Sequence, residues 1–494
     1  MTQQREKFFI VDTNIYLSDA RDAVYSFRPD EAGKKNTIII PYVVQEEIDK
    51  FKGERSSRGT QAREFGKVLS EILQKEENED SYLSAGIEVV SGLKIQSDFN
   101  NYGELEKKLR DQYTKKNDNI ILSAAYSYMN KYELEGKDVE LITNDTNLLL
   151  KASALGIPAS PWEAGMAANT YDNLYRGWRD ITVDEAVIDY LIPDYNNVFP
   201  ADQLDLEEEP VPNEYFILKE EGADPIPQFS EDPRRLNDRS FILARYAAEE
   251  EGLKRVKYRS RKSDRVLGVN AKNVFQSFAL DALLNPRIKF VSMYGVAGTG
   301  KTFLALASGL AQQKSGSNDK ITKSYDVVRI ARPPVIMGED MGFLPGSLEE
   351  KMNPFLQPIY DNLKILRKGL SDKYGGKPGE SVEYIEDVGY LDIVSLGHIR
   401  GRTLPNSYFI IDEAQNTDIS ESKTIVTRAG EGTKMVFTGD PESVQMDREG
   451  NTSLSNGLCY TSERMKESDI TATIYLPEES VVRSELAQLA ARSL

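Results

Sequence analysis

The sequence predicts an α/β protein in which two parallel sheets covered by helices flank a smaller middle region. Strand and helix patterns alternate over residues 1–165, and the alternation resumes over residues 266–494. Residues 166–265 are richer in Pro, Asp and Asn and contain only short apolar stretches. The length of 494 residues suits about three domains. We therefore expect an N-terminal domain, a linker or small middle domain, and a C-terminal domain within these bounds.

The N-terminal domain is predicted to alternate strands with helices. The strand candidates are short runs rich in β-branched and other apolar residues: Phe8–Val11, Ile38–Ile40, Ile87–Val90 and Val139–Thr143. Helical patterns cover Arg58–Glu77 and Ile120–Tyr132. Because helices lie between the strands, the pattern favours parallel pairing.

Four carboxylates accompany these elements. Asp12 and Asp145 follow the first and last strands, where open parallel sheets build their sites. Glu46 comes after the second strand, and Asp118 lies beside Asn117, a residue suited to cap a helix. Clustered carboxylates repel one another, so the site needs a cation, and oxygen ligands favour Mg²⁺ or Mn²⁺. Taken singly, each acid is also typical of a helix cap, a turn or a solvated carboxylate.

The segments around these acids resemble a PIN-domain nuclease. They are Asp12-Thr13-Asn14, Glu46-Glu47-Ile48-Asp49, Asn117-Asp118-Asn119 and Thr143-Asn144-Asp145. The resemblance implies metal-dependent cleavage of single-stranded RNA. It also implies that four residues bind the metal and act in catalysis: Asp12, Glu46, Asp118 and Asp145. The register of the motif selects Glu46 rather than the adjacent Glu47.

The C-terminal domain contains a phosphate-binding loop. The residues Gly295-Val296-Ala297-Gly298-Thr299-Gly300-Lys301-Thr302 match the pattern G-x-x-x-x-G-K-[ST] at every fixed position. An apolar strand pattern precedes the loop and an apolar helix pattern follows it, so a chance Gly-rich turn is the weaker interpretation. In such loops the backbone N–H groups surround a phosphate, Lys301 reaches the outer phosphates and Thr302 holds Mg²⁺. The loop predicts ATP and Mg²⁺ as cofactors.

A second acidic element follows the apolar strand Tyr408–Ile411. Asp412 is placed at the carboxyl end of this strand to bind Mg²⁺, and Glu413 is placed to polarise the attacking water. A solvated acid pair at a strand end is the alternative. Behind a phosphate loop, the pair indicates a hydrolysis site.

Three further residues are candidates for nucleotide contacts. Gln276 precedes the loop and is a candidate for reading adenine, although a solvated helix glutamine fits nearly as well. Arg428 and Arg483 are candidates for an arginine finger, with an ordinary surface ion pair as the alternative for each.

Residues 266–494 resemble PhoH-like ATPases. The resemblance rests on the phosphate loop and on several shorter motifs: Arg332-Pro333, Gly342-Phe343-Leu344-Pro345-Gly346, Lys351-Met352, Arg400-Gly401-Arg402-Thr403, Asp412-Glu413-Ala414-Gln415-Asn416 and Thr427-Arg428. The family is similar to the RecA-like core of superfamily-one helicases. The resemblance implies ATP hydrolysis coupled to RNA and a homo-oligomer, for which a hexameric ring is one form. Gln445 departs from the family pattern, because it follows Gly439-Asp440 later than the family glutamine does.

Composition excludes several other classes of protein. The net charge of −18 argues against a chain that binds nucleic acid on all its faces. A single cysteine and a single histidine disfavour disulfide frameworks, Cys/His zinc sites and His-dependent triads. No apolar run reaches membrane-span length, so we expect no membrane partner, and the single cysteine makes a reducing cytoplasm the simplest expected location. The basic run Lys254–Lys262 is either a solvated face or a nucleic-acid contact.

A PIN-like domain joined to a PhoH-like domain resembles a two-domain family of bacteria and some phages. The combined prediction is an ATP-hydrolysing RNA helicase and ribonuclease that acts on single-stranded or tailed duplex RNA. One alternative is an RNA-binding scaffold that ATP switches, with little unwinding. Another is a P-loop kinase of a small substrate, which the motif Asp412–Gln415 disfavours.

Overall fold

A computed structural model of the chain describes most of both predicted α/β domains. The described residues are 6–29, 34–54, 57–75, 83–100, 116–133, 137–162, 173–206, 208–220, 241–259, 264–314, 324–333, 357–366, 391–394, 396–399, 401–442 and 455–481. The chain forms two compact units, Met1–Asn169 and Thr170–Leu494. No helix in these described ranges is long and apolar enough to cross a bilayer.

The first unit is built on a six-stranded sheet. Its strands are β1 (Glu6–Val11), β2 (Lys35–Pro41), β3 (Ile87–Val90), β4 (Leu93–Asp98), β5 (Asp138–Ile142) and β6 (Ala159–Ser160). The order is β3-β4-β2-β1-β5-β6, and only the β3–β4 pair is antiparallel. The predicted α/β class with a parallel sheet is confirmed. Strands β4 and β6 were not predicted from the sequence.

Helices connect these strands and cover a continuous apolar core. They are α1 (Thr13–Ser18), α2 (Ala20–Tyr25), α3 (Tyr42–Phe51), α4 (Ser57–Lys75), α5 (Lys116–Glu133) and α6 (Thr146–Ala154). Strands β1, β2 and β5 run parallel, so their carboxyl ends share one edge of the sheet. Helices α1, α3 and α6 begin at that edge, which brings their first turns close together.

The second unit begins with a five-stranded sheet. Its strands are β7 (Trp178–Val183), β8 (Val198–Pro200), β9 (Tyr215–Glu220), β10 (Phe241–Ala247) and β11 (Gly252–Arg255), in the order β7-β9-β10-β11-β8. Helix α7 (Glu185–Leu191) packs on one face, against Phe216 and Leu218. The opposite face, with Tyr215 and Ile217, belongs to the same apolar cluster as the phosphate-loop helix.

This sheet occupies the region 166–265, for which a linker or small middle domain was predicted, and it clusters with the rest of the second unit. Alternate residues of β9 face two cores, so the sheet is one layer of the larger unit. Polar bonds join the layers as well. Trp178 Nε1 donates to the Tyr475 carbonyl at 2.9 Å, and Tyr215 Oη donates to Asp281 at 3.0 Å.

The remaining residues form a parallel six-stranded sheet. Its strands are β12 (Phe290–Gly295), β13 (Val327–Ala331), β14 (Leu391–Ile393), β15 (Ser407–Ile411), β16 (Lys434–Gly439) and β17 (Thr471–Leu476), in the order β14-β13-β15-β16-β12-β17. The helices are α8 (Val274–Leu284), α9 (Lys301–Gln312), α10 (residues 357–366), α11 (Ile419–Val426) and α12 (Gly457–Met465). The carboxyl ends of β12, β13, β15 and β16 share one edge.

A buried lysine holds the end of α8. Lys434 is fully buried, and its Nζ donates to the carbonyls of Ala282, Leu283 and Asn285 at 2.9, 2.8 and 2.7 Å. These carbonyls lack partners within the helix, so one side chain satisfies three terminal acceptors. Burial lowers the pKa of Lys434 well below its usual value.

The segment before β7 lies along β17. The Arg176 carbonyl accepts from the Tyr475 N–H at 2.9 Å, and Tyr294 Oη donates to the Tyr175 carbonyl at 2.7 Å. Gly177 has φ +76°, and a Cβ there would lie 1.6 Å from the Thr473 carbonyl oxygen. Only glycine allows this approach of backbone to backbone.

Candidate functional site

The phosphate loop has the geometry that its sequence predicts. It leaves the buried strand β12 at Gly295 and enters α9 at Lys301. Gly295 has φ +140°, and a Cβ there would lie 2.0 Å from the Leu476 carbonyl oxygen, so a side chain does not fit. Gly298 and Gly300 also have positive φ, at +94° and +93°. The N-terminus of α9 adds positive potential where the loop turns.

Lys301 lies inside this loop. Its side chain is only 9% exposed, and Nζ donates to the carbonyls of Gly295 and Val296 at 2.5 and 2.9 Å. Asp440 faces the same loop and accepts the Ala297 N–H. Burial raises the pKa of Asp440, while the charge of Lys301 opposes the rise. The loop therefore combines one buried ammonium with backbone donors, a suitable environment for an anion.

Asp412 connects the loop helix to the neighbouring strands. It is 4% exposed, and its Oδ1 accepts from Thr302 Oγ1 at 2.6 Å and from Thr438 Oγ1 at 2.7 Å. The structure thus brings together Thr302 and Asp412, the two predicted Mg²⁺ ligands. A hydroxyl beside a carboxylate is an oxygen donor set that suits Mg²⁺.

Glu413 has a constrained backbone and a carboxylate that accepts a hydrogen bond at each oxygen. Its φ and ψ of 53° and 44° are left-handed, a conformation that non-glycine residues rarely adopt outside constrained sites. Arg332 donates to its Oε1 at 3.1 Å, and Gln415 Nε2 donates to its Oε2 at 2.6 Å. Gln415 is fully buried and accepts the Asp440 N–H at 3.1 Å. A hydrogen-bonded chain therefore runs from Arg332 to the phosphate loop.

In the first unit, Asp12 occupies a buried position directly after β1. It is 5% exposed, and its Oδ2 accepts from Thr143 Oγ1 at 2.7 Å. Burial raises the pKa of Asp12 to about 6. The bonds from Thr143 and from the Thr13 N–H oppose the rise, whereas the nearby charges of Glu47 and Asp118 add to it. Mutual repulsion of this kind is typical of carboxylates that share a cation.

The glutamate beside Asp12 is Glu47 and not the predicted Glu46, whose role as a ligand stays a prediction. Glu47 accepts from Thr13 Oγ1 at 2.5 Å and from Asn117 Nδ2, whereas Glu46 is exposed. The reason is helical periodicity. Glu47 lies four residues after the buried Val43, on the face of α3 that packs inward. That spacing was visible in the sequence.

Asp118 and Asp145 lie at the ends of neighbouring helices. Asp118 is in the first turn of α5 and accepts from Lys151 Nζ at 3.3 Å. Asp145 caps α6 by accepting the N–H groups of Asn147 and Leu148 at 2.8 and 3.2 Å. Its own N–H donates to Thr143 Oγ1 at 3.1 Å, and that hydroxyl also bonds Asp12.

The acids are oxygen donors of the kind that Mg²⁺ and Mn²⁺ prefer. Within the residues that the structure describes, however, no three Asp, Glu, His or Cys side chains converge closely enough to hold a metal ion. Four acids near the end of β1 each contact a hydroxyl, an amide or a lysine of the protein instead: Asp12, Glu47, Asp118 and Asp145.

Comparison with known proteins places both halves in families. A PhoH-like protein model matches residues 268–493, and a PIN domain model matches residues 9–163. Protein PhoH2 of Bacillus subtilis is 33% identical over 493 residues, which cover 98% of this chain and 99% of that protein. The chain belongs to the PIN–PhoH two-domain family. Protein PhoH2 of Mycolicibacterium smegmatis is 28% identical and covers 100% of this chain, with 98% of its own length matched.

The PIN–PhoH assignment gives each site a chemical class. The PhoH-like domain is an ATPase domain with a P-loop, and P-loop NTPases usually use ATP with a divalent cation. The PIN domain is of a class whose members are usually nucleases.

The structure places the three candidates for nucleotide contacts of the PIN–PhoH chain in different settings. Gln276 is 3% exposed; its Nε2 donates to the Thr299 carbonyl at 2.9 Å, and its Oε1 accepts the Lys272 N–H at 2.8 Å. Gln276 therefore bonds the backbone of the phosphate loop, and its contact with adenine stays a prediction. Arg428 follows the end of α11, and its Nε is buried without a hydrogen-bond acceptor. Arg483 lies outside the described residues.

Several other predicted elements of the PIN–PhoH chain also fall outside the described residues: Gly342–Gly346, Lys351-Met352, Arg400 and Gln445. The basic run Lys254–Lys262 is described as far as residue 259. Lys254 and Lys257 pair with Glu250 and Asp264. Arg255 lies over the ring of Tyr195 at 4.6 Å. These three bases already have partners within the protein, which favours a solvated face over a nucleic-acid contact for this part of the run.

Proposed function

We propose that this PIN–PhoH protein is an ATP-driven RNA helicase joined to a metal-dependent endoribonuclease. One observation carries the proposal: each half of the chain groups its reactive side chains at the carboxyl edge of a parallel sheet. Lys301, Thr302 and Asp412 do so in the second unit. Asp12 and Glu47 do so in the first.

For the motor, the phosphate loop would hold the ATP phosphates. Lys301 would exchange its carbonyl acceptors for phosphate oxygens, and Asp440 would give up the Ala297 N–H to the nucleotide. Thr302 and Asp412 would hold Mg²⁺, which neutralises charge on the phosphates. Glu413 would orient the attacking water. Thr438 would keep Asp412 in place by donating to Oδ1.

For the nuclease, the carboxylates of Asp12, Glu47 and Asp118 do not converge on a metal position in the described residues, so they would have to draw together to bind a divalent cation, with Asp145 nearby. A bound cation positions water and stabilises charge on the scissile phosphate. Thr13 and Thr143 donate to the carboxylates and fix their orientation. The substrate would be single-stranded RNA or the tail of a duplex, bound in the cytoplasm by a homo-oligomer, with a hexameric ring as the candidate form.

The decisive assay uses the purified full-length protein on a tailed RNA duplex, with and without ATP and Mn²⁺. We expect strand displacement that requires ATP, and cleavage of the tail that requires Mn²⁺ and is lost in EDTA. Asp12→Asn should abolish cleavage and keep the ATPase. Persistence of cleavage in this variant would refute the nuclease assignment. RNA binding without displacement would instead support a scaffold that ATP switches.

A further inference from the structure

The carboxylate of Glu413, the proposed water-orienting residue, is held from both sides. The Arg332 guanidinium bonds one oxygen and the Gln415 amide bonds the other, at 3.1 and 2.6 Å. A carboxylate that accepts from two donors, one of them a cation, is a poor acceptor for the proton of water. The left-handed backbone of Glu413 accompanies this restrained carboxylate.

The two donors differ in how easily they can leave. Gln415 is fully buried, and its own carbonyl oxygen accepts the Asp440 N–H. The Arg332 side chain is 16% exposed and comes at the end of β13, directly before Pro333. The backbone just before Arg332 is held at the edge of the sheet, because the Ala331 carbonyl accepts the Asp412 N–H at 2.9 Å. Arg332 is therefore the partner that an external ligand can take.

Sheet order indicates which ligand this is. Strand β13 is separated from the phosphate-loop strand β12 by β15 and β16. Three strand spacings of about 4.8 Å place the root of Arg332 roughly 14 Å from β12. Glu413 follows β15, between the two. The backbone of Arg332 thus lies on the side of Glu413 that is away from the phosphate loop, which favours an anion other than ATP as the one that attracts its guanidinium.

We propose that Arg332 is a positioning residue that restrains Glu413, and that a phosphodiester of bound RNA releases Glu413 by taking the guanidinium. The inference rests on the proposed RNA-dependent motor. A guanidinium forms the same paired hydrogen bonds with phosphate as with carboxylate, so RNA competes directly for the donor. ATP hydrolysis would then be slow until RNA is bound.

The test measures kcat and KM for ATP with and without a single-stranded RNA oligonucleotide. Arg332→Ala and the longer neutral Arg332→Gln should each raise the RNA-free kcat roughly tenfold, the ratio that about 1.4 kcal/mol produces. Their KM for ATP should stay near the wild-type value, and RNA should add little further. Arg332→Lys, which keeps the charge, should restore part of the restraint and of the RNA response.

Arg329 provides a matched control on the same strand. It pairs with Asp392 at 3.2 Å and is 18% exposed, yet it makes no bond to Glu413. Arg329→Ala should leave the RNA-free kcat and the RNA response unchanged. An RNA-free kcat that is unchanged or reduced in both Arg332→Ala and Arg332→Gln would overturn the proposal. If RNA fails to stimulate the wild-type enzyme, the proposed motor fails, while the RNA-free kcat of these variants still decides whether Arg332 restrains Glu413.

Discussion

Asp12→Asn should make the first unit more stable at neutral pH although it destroys the proposed nuclease site. Asp12 is buried after β1, with the charges of Glu47 and Asp118 nearby. Asparagine keeps an oxygen that can accept from Thr143 Oγ1, so the packing and this bond are retained. What the substitution removes is a buried negative charge among other negative charges.

The size of the effect follows from the raised pKa of Asp12. This pKa is about 6 in the folded protein, against 3.8 for an unperturbed carboxyl. One pKa unit corresponds to about 1.36 kcal/mol, so the difference amounts to about 3 kcal/mol. Because the folded pKa is raised, the stability contribution is fully present below 3.8 and is lost as the pH rises through about 6. The gain from Asp12→Asn should be absent near pH 4 and complete near pH 7.

The chain offers a clean probe for this measurement. It has two tryptophans, Trp162 in the first unit and Trp178 in the second. In a Trp178→Phe background, fluorescence during urea unfolding reports the surroundings of the buried Trp162. Titrations at pH 4 and pH 7 in EDTA should give the predicted difference. Added Mn²⁺ should stabilise the chain with Asp12 and have little effect on Asp12→Asn.

Glu46→Gln is the control, because it removes an exposed charge from the same region and should change stability by less than about 0.5 kcal/mol. If Asp12→Asn lowers the unfolding free energy at pH 7, or raises it equally at both pH values, the repulsion argument is wrong.

The remaining predictions concern the two reactions and the end of α8. Lys301→Ala should reduce ATP hydrolysis to background and leave Mn²⁺-dependent RNA cleavage intact; loss of both would show that the sites are not separable. Glu47→Gln should abolish cleavage in a gel assay, whereas Glu46→Gln should cleave normally, and the reverse result would restore the original motif register. Lys434→Met should lower the unfolding free energy of the second unit by about 3 kcal/mol, since buried carbonyls lose their donor. The exposed Lys289→Met is its control in calorimetry.

The sequence identified the parts of this protein that have a fixed spacing or a strong period. The phosphate loop and the strand before Asp412 are of this kind, because adjacent residues determine them. Strand β4 was missed since Leu93–Asp98 mixes polar residues with only two large apolar ones, and its burial depends on pairing with β2 and β3. Glu46 was predicted in preference to Glu47 because the motif register was given more weight than the helix period.

Other features arise only from tertiary contacts. Nothing local marks Lys434 as the residue that bonds the last carbonyls of α8, of which Leu283 lies 151 positions earlier in the sequence. Residues 166–265 were predicted to form a linker or small middle domain because they are rich in Pro, Asp and Asn with only short apolar stretches, yet both faces of β9 are buried. For Gln276 the sequence left open an adenine contact and a solvated helix glutamine, because whether a helix glutamine faces solvent or the phosphate loop depends on how α8 packs.

The contact between residues 175–178 and β17 has a consequence for how copies of this chain associate. In the described sheet β17 is an outermost strand, and outermost strands tend to pair with strands of other molecules. Here Arg176 and Trp178 already take hydrogen bonds of Tyr475, and Gly177 permits the closest approach. These contacts occupy the backbone N–H and carbonyl of Tyr475, so another strand cannot pair there. Residues 175–178 therefore disfavour irregular strand-to-strand aggregation at this edge.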